Sequence, residues 1–429
     1  MTMLDKLVQA RTLSKAIAAT KRLLSERGES NGASMAQDVL THFKALDETQ
    51  KANFYTSLAD KFNPDPQEIM GAAQAYAKEP NAQNLIWLTK VSEPPRQELL
   101  RRLNRASGGT GAIVEMRRQL LGLLDKKPEL AALDFDMRHL LTSWFNPGFL
   151  KMHQVDWRSP AHILEKLIQH EAVHEIDGWD DLRRRLQPDR RCFAFFHPQL
   201  PDEPLIFVEV ALLTEIPEAV GPLVDKKAEP LENVSYKVAV FYSISNCQPG
   251  LRGISLGNFL IKRVAEHLKE EIPSLKTFVT LSPIPGFVDW LNAGAQLVEP
   301  LPKPAIVEKV QQSMAILDLK KTSWAERLSS GWHPGRSSEK EQEALMALCA
   351  IYLMYLSPRR GGNSVAKFHL GNGAKLHRIN WGGDLSKKGL RQSAGIMVNY
   401  LYDLDDVEIN HEKFVNGEVI YSRNVSKWV

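Results

Sequence analysis

The sequence of 429 residues predicts an α+β protein, in which an all-helical N-terminal bundle precedes a domain built on a mixed sheet. Two observations support this fold class. The chain is helical in pattern up to the segment FNPGF, Phe145 to Phe149, and short runs with strand character begin only after it. We therefore expect a helical domain for packing or oligomerisation at residues 1–147 and a mixed-sheet domain at residues 148–429.

Helical spacing defines the N-terminal region. Phe54, Leu58 and Phe62 recur with the period of a helix face, and Ser34 and Asp47 are suitable helix caps. The glycine-rich segment ASGGTG separates two later helices. The Arg- and Glu-rich faces of these helices are typical of solvated surfaces, so this region carries no recognisable chemistry.

Composition excludes several classes of protein. Hydrophobic residues make up 43% and charged residues 24%, and 54 basic residues are interleaved with 51 acidic ones. This balance argues against nucleic-acid binding, which concentrates basic charge on one face or arm. No apolar run reaches the length of a membrane span, and the three cysteines are too few and too scattered for a disulfide framework. These features predict a cytoplasmic location.

Strand signals follow FNPGF. The runs RCFAFFHP, PLIFVEVALL, KVAVFYSIS and KTFVTLSP are short, rich in Val, Ile and aromatic residues, and end in Pro or polar residues. Toward the C-terminus, Asn372-Gly373 and Asn416-Gly417 each lie between apolar stretches, a pattern that predicts a β-hairpin. A sheet of antiparallel hairpins, interrupted by a helix, is the expected arrangement.

One glycine-rich loop, QPGLRGISLGNFLIKRV from Gln248 to Val264, runs from a strand into an amphipathic helix. The apolar stripe of this helix is predicted at Leu256, Phe259, Leu260, Val264 and Leu268. Its glycines, Gly250, Gly253 and Gly257, let the backbone approach a ligand closely. The N–H groups at the start of the following helix favour a phosphate. An ordinary turn that leads into a helix remains an alternative interpretation.

Two further segments carry candidate catalytic side chains. Ser282 lies at the end of a strand in VTLSPIPGF, where Pro283 and Pro285 stiffen the exit loop. His369 lies in FHLGNGAKLHRINW, on a strand just before the predicted hairpin turn, and His377 follows across that turn. Considered singly, a serine on a proline-rich loop is usually a turn residue, and a histidine on a strand is more often structural than catalytic.

Together these motifs resemble a known family. A strand, an Arg-Gly-x-x-x-Gly loop and a helix resemble the coenzyme A pyrophosphate loop of the GNAT acyltransferases, although Ser255 stands where Gly or Ala is usual. FYSIS, LG-x-FLIKRV, LSPIPGF, FHL-x-NGA and RINW, in this order, resemble malonyl-CoA decarboxylase. The resemblance implies a GNAT-like catalytic domain, a homotetramer, and neither a metal nor an organic cofactor.

The resemblance also implies roles for individual residues. Ser282 corresponds to the proton acceptor, His369 to the proton donor, and Tyr402 in NYLYDL to a tyrosine near the reacting group. Ser243 corresponds to a residue close to the site. The residues that correspond to the coenzyme A loop are Arg252, Gly253, Ile254, Ser255, Leu256, Gly257 and Asn258. The expected reaction converts malonyl-CoA to acetyl-CoA and CO2 through a thioester enolate.

Three other functions stay open at this point. A GNAT-type acyltransferase would use the same loop to transfer an acyl group to an amine, and a non-catalytic acyl-CoA sensor would bind without turnover. The segment QHEAVHE also contains His170-Glu171-x-x-His174, which on a helix would place two imidazoles on one face for zinc. Glu171 could equally be an ordinary surface charge of a helix.

Overall fold

A computed structural model of the chain describes residues 3–25, 31–254, 256, 260–319, 321–359 and 362–429. The chain divides into two compact units. The first contains Met1–Lys151, Phe196–Leu205 and Gln248–Leu256, and the second contains Met152–Phe195, Ile206–Cys247 and Gly257–Val429. None of the described helices is both long enough and apolar enough to cross a membrane.

Helices form the N-terminal region, as the sequence predicts. They are α1 Met3–Leu24, α2 Gly32–Lys44, α3 Glu48–Lys61, α4 Pro66–Lys78, α5 Ala82–Ser92, α6 Pro95–Leu103, α7 Gly109–Leu121 and α8 Ala131–Trp144. Asp47 caps α3 in a capping box with Gln50, as predicted. Ser34 does not act as a cap, because α2 already begins at Gly32.

The core of this bundle is apolar and aromatic. Phe54 and Tyr55 on α3 are fully buried, and Leu99 on α6 and Leu133 on α8 are equally inaccessible. The hydroxyl of Tyr55 donates to the carbonyl oxygen of Met116, 3.0 Å away, which satisfies the phenol inside the core and links α3 to α7. Helix α7 is thus fixed from its buried side.

Strands begin at Lys151. They are β1 Lys151–Val155, β2 Arg190–His197, β3 Leu200–Leu213, β4 Val238–Asn246, β5 Thr277–Thr280, β6 Lys375–Asn380 and β7 Met397–Tyr402. Within the described residues they form one seven-stranded sheet of order β1-β2-β3-β4-β5-β7-β6. The four strand runs identified in the sequence correspond to β2 through β5.

Helices are interspersed among the strands. They are α9 Ala161–His170, α10 Gly178–Arg185, α11 Gly221–Val224, α12 Leu260–Glu271, α13 Phe287–Asn292, α14 Pro304–Leu317, α15 Trp324–Ser329, α16 Glu339–Ile351, α17 Ser364–Gly371, α18 Lys387–Ser393, α19 Val407–Val415 and α20 Arg423–Ser426. The architecture is therefore α+β, as predicted, with a mixed sheet.

The expectation of antiparallel hairpins is wrong in detail. Strand β4 pairs with β5 in parallel, because helix α12 carries the chain back between them. Asn372-Gly373 is the turn that ends helix α17, where Gly373 adopts a φ of 82°. Asn416-Gly417 ends helix α19 in the same way. Asn-Gly supplies the left-handed backbone that both a hairpin and a helix end require, which explains both errors.

The two faces of the sheet differ in character. Val240 of β4, Val279 and Leu281 at β5, and Met397 of β7 belong to one buried apolar cluster. Because side chains alternate along a strand, Thr280 and Ser282 lie on the opposite face. That face carries the polar groups that form the candidate site.

Candidate active site

Ser282 lies where β5 ends, as the sequence predicts. Its backbone exchanges two hydrogen bonds with Val398 of β7, through Ser282 N to Val398 O at 2.8 Å and Val398 N to Ser282 O at 3.0 Å. The residue is buried. Because both backbone groups are held by a neighbouring strand and prolines follow, the backbone fixes the face of the sheet from which the Ser282 side chain projects.

His369 lies on helix α17 and not on a strand, which corrects the sequence prediction. Asn363 caps this helix by accepting from Ala366 N at 2.7 Å. The same side chain donates from Nδ2 to the carbonyl oxygen of Pro285, 2.6 Å away, in the exit loop of Ser282. One asparagine therefore anchors the start of α17 to the loop that follows Ser282.

Four side chains form a buried hydrogen-bonded chain. His369 Nε2 lies 3.1 Å from Ser282 Oγ, and His369 Nδ1 lies 2.9 Å from the hydroxyl of Tyr402. Ser282 Oγ donates to Thr280 Oγ1 over 2.9 Å. Thr280 Oγ1 also accepts the backbone N–H of Tyr400 at 3.1 Å. The structure thus brings together the three predicted catalytic residues and adds Thr280.

Burial sets the protonation states in this chain. Loss of solvent lowers the pKa of His369 to about 3, so the imidazole is neutral near pH 7. Burial also raises the pKa of Tyr402 well above its usual range, which keeps the phenol protonated. Because the Ser282 hydroxyl donates to Thr280, it accepts from His369 Nε2, which therefore carries the ring proton, and Nδ1 accepts from the Tyr402 hydroxyl. The ring of Tyr400 stacks on the imidazole with centroids 4.8 Å apart.

Strands β4 and β5 separate beside Ser282. Their parallel pairing ends at Phe241 and Thr280, with one more bond from Leu281 N to Phe241 O at 3.1 Å. Beyond this point Ser282 pairs with β7, whereas Ser243 pairs with Glu209 of β3 across a register shift. The described pairing of β4 with β5 therefore stops just before Ser282, a member of the buried hydrogen-bonded chain.

Ser243 contacts a different group. Its hydroxyl lies 2.7 Å from both carboxylate oxygens of Glu171, and Ser245 Oγ donates to the same carboxylate over 3.1 Å. Among the contacts that the structure describes, the Ser243 hydroxyl does not join Ser282 or His369. Its predicted role in substrate binding stays a prediction.

The zinc pattern does not form the geometry that zinc requires. Helix α9 ends at His170, so His174 does not share a helix face with it. Glu171 follows the helix, and its carboxylate accepts the backbone N–H groups of Val173 and His174 at 2.9 and 2.7 Å. Glu171 is therefore neither a residue of a zinc site nor a surface charge. Its carboxylate is buried and accepts hydrogen bonds from backbone N–H groups and serine hydroxyls.

The predicted coenzyme A loop lies in the first compact unit up to Leu256. A short 3-10 turn spans Pro249–Leu251, Arg252 is exposed, and Gly253 adopts a φ of 77°, which favours glycine. Ser255, Gly257, Asn258 and Phe259 lie outside the described residues. Helix α12 is described from Leu260 onward, with Leu260, Val264 and Leu268 buried as the predicted stripe requires.

Sequence reasoning overlooked Thr280 and Asn363. The signal for Thr280 was available, because a residue two positions before Ser282 on a strand shares its face. Asn363 precedes an apolar helical segment and had the signature of a cap. Its contact with Pro285 depends on tertiary structure and could not be inferred from local pattern.

Comparisons with known proteins converge on one family. Residues 148–429 match the family model described as the malonyl-CoA decarboxylase C-terminal domain, and residues 62–145 match that of the N-terminal domain. Mitochondrial malonyl-CoA decarboxylase of Anser anser anser is 40% identical over 342 residues, covering 76% of this chain and 68% of the relative. That of Rattus norvegicus is 35% identical over 423 residues, covering 92% and 85%.

Solved structures agree over nearly the whole length. The crystal structure of malonyl-CoA decarboxylase from Rhodopseudomonas palustris superposes with a TM-score of 0.84 at 44% identity, covering 97% of this chain and 99% of that one. The Agrobacterium vitis structure of the same name gives a TM-score of 0.82 at 43% identity, covering 96% and 99%. The similarity therefore extends through both the helical region and the sheet.

Proposed function

The chain belongs to the malonyl-CoA decarboxylase family, and from this membership we propose that Ser282 and His369 act together on the malonyl group of malonyl-CoA. The enzyme is a carboxy-lyase whose products are acetyl-CoA and CO2. The observation that supports the proposed roles is the buried contact between Ser282 Oγ and His369 Nε2, which the Tyr402 hydroxyl extends on the other side of the ring.

The reaction sets two demands. When the bond between C2 and the carboxylate breaks, CO2 leaves and its electron pair stays on C2, delocalised onto the thioester oxygen as an enolate. Donors must stabilise that oxygen, and one proton must then reach C2 to complete acetyl-CoA. Hydrogen-bond donors fixed in a site of low polarity stabilise such a charge strongly.

Ser282 and His369 meet the second demand in the proposed mechanism. The free enzyme holds His369 neutral, because burial lowers its pKa to about 3. A malonyl carboxylate placed beside Nε2 and the serine hydroxyl favours the charged imidazolium, so Nδ1 takes up a proton from solvent as the substrate binds, and the Tyr402 oxygen becomes its acceptor. After CO2 has left, the imidazolium gives its Nε2 proton to C2 and is left neutral. With the proton from solvent counted, the malonyl carboxylate and one proton become acetyl-CoA and CO2.

Neighbouring hydrogen-bond partners fix the orientation of Ser282 and His369. Tyr402 is protonated and donates to Nδ1, which reserves Nε2 for Ser282 and the substrate. Thr280 accepts a hydrogen bond from the Ser282 hydroxyl, which leaves the serine oxygen free to accept from His369 Nε2. When the substrate carboxylate arrives, the serine can turn its proton to it and orient the group that leaves.

The end of β4 beyond its pairing with β5 supplies the oxyanion donors in this proposal. Backbone N–H groups of β4 beyond Phe241 that are directed toward β5 no longer meet a paired strand there. We assign these N–H groups to the thioester oxygen. The loop from Arg252 to Asn258 is assigned to the phosphates of coenzyme A, on the strength of its glycines and its resemblance to the family.

Mass spectrometry of malonyl-CoA tests the assignment. Purified protein is incubated with malonyl-CoA, and acetyl-CoA is quantified over time for the wild type and His369→Ala. We expect kcat to fall about 10²- to 10⁴-fold in the variant, the range typical of a lost proton-transfer group. His377→Ala is the matched control, because this half-buried histidine lies on β6 and outside the buried chain. Wild-type kcat in folded His369→Ala would rule out the proposed role.

A further inference from the structure

Arg117 of the N-terminal helix α7 is buried against the predicted coenzyme A loop. Its Nη1 donates to the carbonyl oxygens of Gly250 and Arg252, at 2.8 and 2.9 Å. Its Nε donates to Asp134 of helix α8, also at 2.8 Å. Only 2% of the arginine is exposed. A guanidinium with this degree of burial thus holds two peptide carbonyls of one loop.

Close backbone contact reinforces this arrangement. Gly250 approaches Val114 of α7 so closely that an added Cβ would overlap the Val114 carbonyl oxygen. Within the loop, Arg252 N donates to Pro249 O at 3.1 Å and Ile254 N donates to Leu251 O at 2.9 Å. Helix α7 therefore fixes both the position of the loop, through Gly250, and the orientation of its peptides, through Arg117.

The contact between Arg117 and the Arg252 carbonyl also sets the direction of a peptide N–H. In a planar trans peptide the C=O and the N–H point in opposite directions. Since Arg117 binds the carbonyl of Arg252, the N–H of Gly253 in the same peptide points away from helix α7. The positive φ of Gly253 follows immediately, and both Arg252 and Gly253 are exposed. The loop thus turns its carbonyl oxygens inward and a peptide N–H outward.

An anionic ligand requires this orientation. Carbonyl oxygens that faced a phosphate would repel it, whereas peptide N–H groups attract it. We propose that Arg117 is a positioning residue for the phosphate-bearing part of coenzyme A, and that it acts by holding the Gly250 and Arg252 carbonyls away from the ligand. This inference rests on the proposed function, because it takes the loop to bind coenzyme A.

Substrate truncation separates this role from a general structural one. Malonyl-CoA carries the phosphates, whereas S-malonyl-pantetheine carries the same thioester without them. In Arg117→Lys the charge remains but the planar fork that spans two carbonyls and Asp134 is lost. We expect the KM for malonyl-CoA to rise about tenfold, with kcat within twofold, as befits the loss of hydrogen bonds to a charged group. The kinetic constants for S-malonyl-pantetheine should stay at the wild-type values.

Two further variants sharpen the comparison. Asp134→Asn keeps the contact to Arg117 Nε but removes the opposite charge, and it should raise the KM for malonyl-CoA in the same direction by a smaller factor. Arg118→Lys is the matched control: it is the next residue on the helix, its side chain is 51% exposed, and it pairs with Glu115. Arg118→Lys should leave both substrates unaffected, and thermal unfolding should confirm that all variants are folded.

The outcomes distinguish this inference from the proposed function. An equal loss for both substrates in Arg117→Lys, or an unchanged KM for malonyl-CoA, would overturn the positioning role. A wild-type protein that leaves malonyl-CoA intact would instead refute the decarboxylation. In that case calorimetric titration with coenzyme A still tests Arg117, because a roughly tenfold weaker affinity in Arg117→Lys needs no turnover. An affinity equal to that of the wild type would reject the inference.

Discussion

His369 Nε2 and Ser282 Oγ lie 3.1 Å apart although 87 residues separate them in the sequence. One residue lies on a helix and the other lies just beyond a strand, so neither element alone determines the distance. Asn363 connects the two elements, because it caps the helix and binds the Pro285 carbonyl in the serine loop. The contact is therefore a property of the folded domain, and its two members should act as one unit.

Joint action predicts strong non-additivity in a double-mutant cycle. Ser282→Ala and His369→Gln should each lower kcat by about 10²-fold or more, since each removes one end of the same hydrogen bond. The double variant should be about as slow as the slower single variant. Steady-state decarboxylation rates for the four proteins give the coupling. Effects that multiply would show that the two residues act independently, which would contradict the proposed mechanism.

Tyr402 should influence catalysis through the histidine. Tyr402→Phe removes the hydroxyl that donates to Nδ1, so Nδ1 can carry the ring proton and Nε2 loses its preference for donating to Ser282. We expect kcat to fall about tenfold, the effect of one lost hydrogen bond to a reacting group. The KM should change little, because Tyr402 is not assigned to the coenzyme.

Tyr400→Phe provides the comparison for Tyr402→Phe. Its ring also contacts His369, but its buried hydroxyl has no hydrogen-bond partner among the described residues. Loss of this hydroxyl should reduce kcat less than loss of the Tyr402 hydroxyl. If both variants gave the same loss of kcat, packing around the imidazole, and not the hydrogen bond to Nδ1, would be the cause.

The low pKa of His369 predicts a defined acid sensitivity. The folded protein keeps this histidine neutral down to about pH 3, whereas an unfolded chain protonates it near pH 6.5. Between these values the unfolded state binds more protons, so the free energy of unfolding falls as the pH falls from 6.5 toward 3. Above pH 6.5 the residue contributes no pH dependence.

Urea unfolding at pH 7 and pH 5 measures this linkage. His369→Gln should lose less stability than the wild type between these pH values, by about 2 kcal/mol. His377→Gln is the control, because burial also lowers the pKa of His377 but it is only half-buried. His377→Gln should reduce the loss of stability between pH 7 and pH 5 by less than His369→Gln does. An unchanged difference between pH 7 and pH 5 in His369→Gln would show that the imidazole is not neutral in the folded state.

The sequence pattern correctly predicted the features that depend only on neighbouring residues. The strand before Ser282, the prolines after it and the amphipathic stripe from Leu260 all follow from periodicity and backbone restriction, and the structure confirms them. The strand at His369 was wrong because Asn372-Gly373 satisfies a helix end as well as a hairpin. Contacts such as that between Arg117 and the Arg252 carbonyl join segments that no local pattern relates, so only the fold reveals them.

The contacts of Glu171 likewise join segments that are distant in the sequence. Its carboxylate accepts from the hydroxyls of Ser243 and Ser245 and from two backbone N–H groups. Glu171→Gln replaces one acceptor oxygen with an NH2 group that faces donors. Because buried donors then lose their acceptor, the free energy of unfolding should fall by about 1–3 kcal/mol. Ser243→Ala should cost less, since the carboxylate keeps its backbone partners.

Urea denaturation of three variants tests this ranking. Glu175→Gln, four residues along and exposed, is the charge-matched control and should change the free energy of unfolding by less than about 0.5 kcal/mol. Kinetics add a second readout: if Glu171 also orients Ser243 for the substrate, Glu171→Gln and Ser243→Ala should shift the KM for malonyl-CoA in the same direction. If Glu171→Gln were as stable as Glu175→Gln, the second carboxylate oxygen of Glu171 would contribute nothing to the free energy of unfolding, which would contradict this prediction.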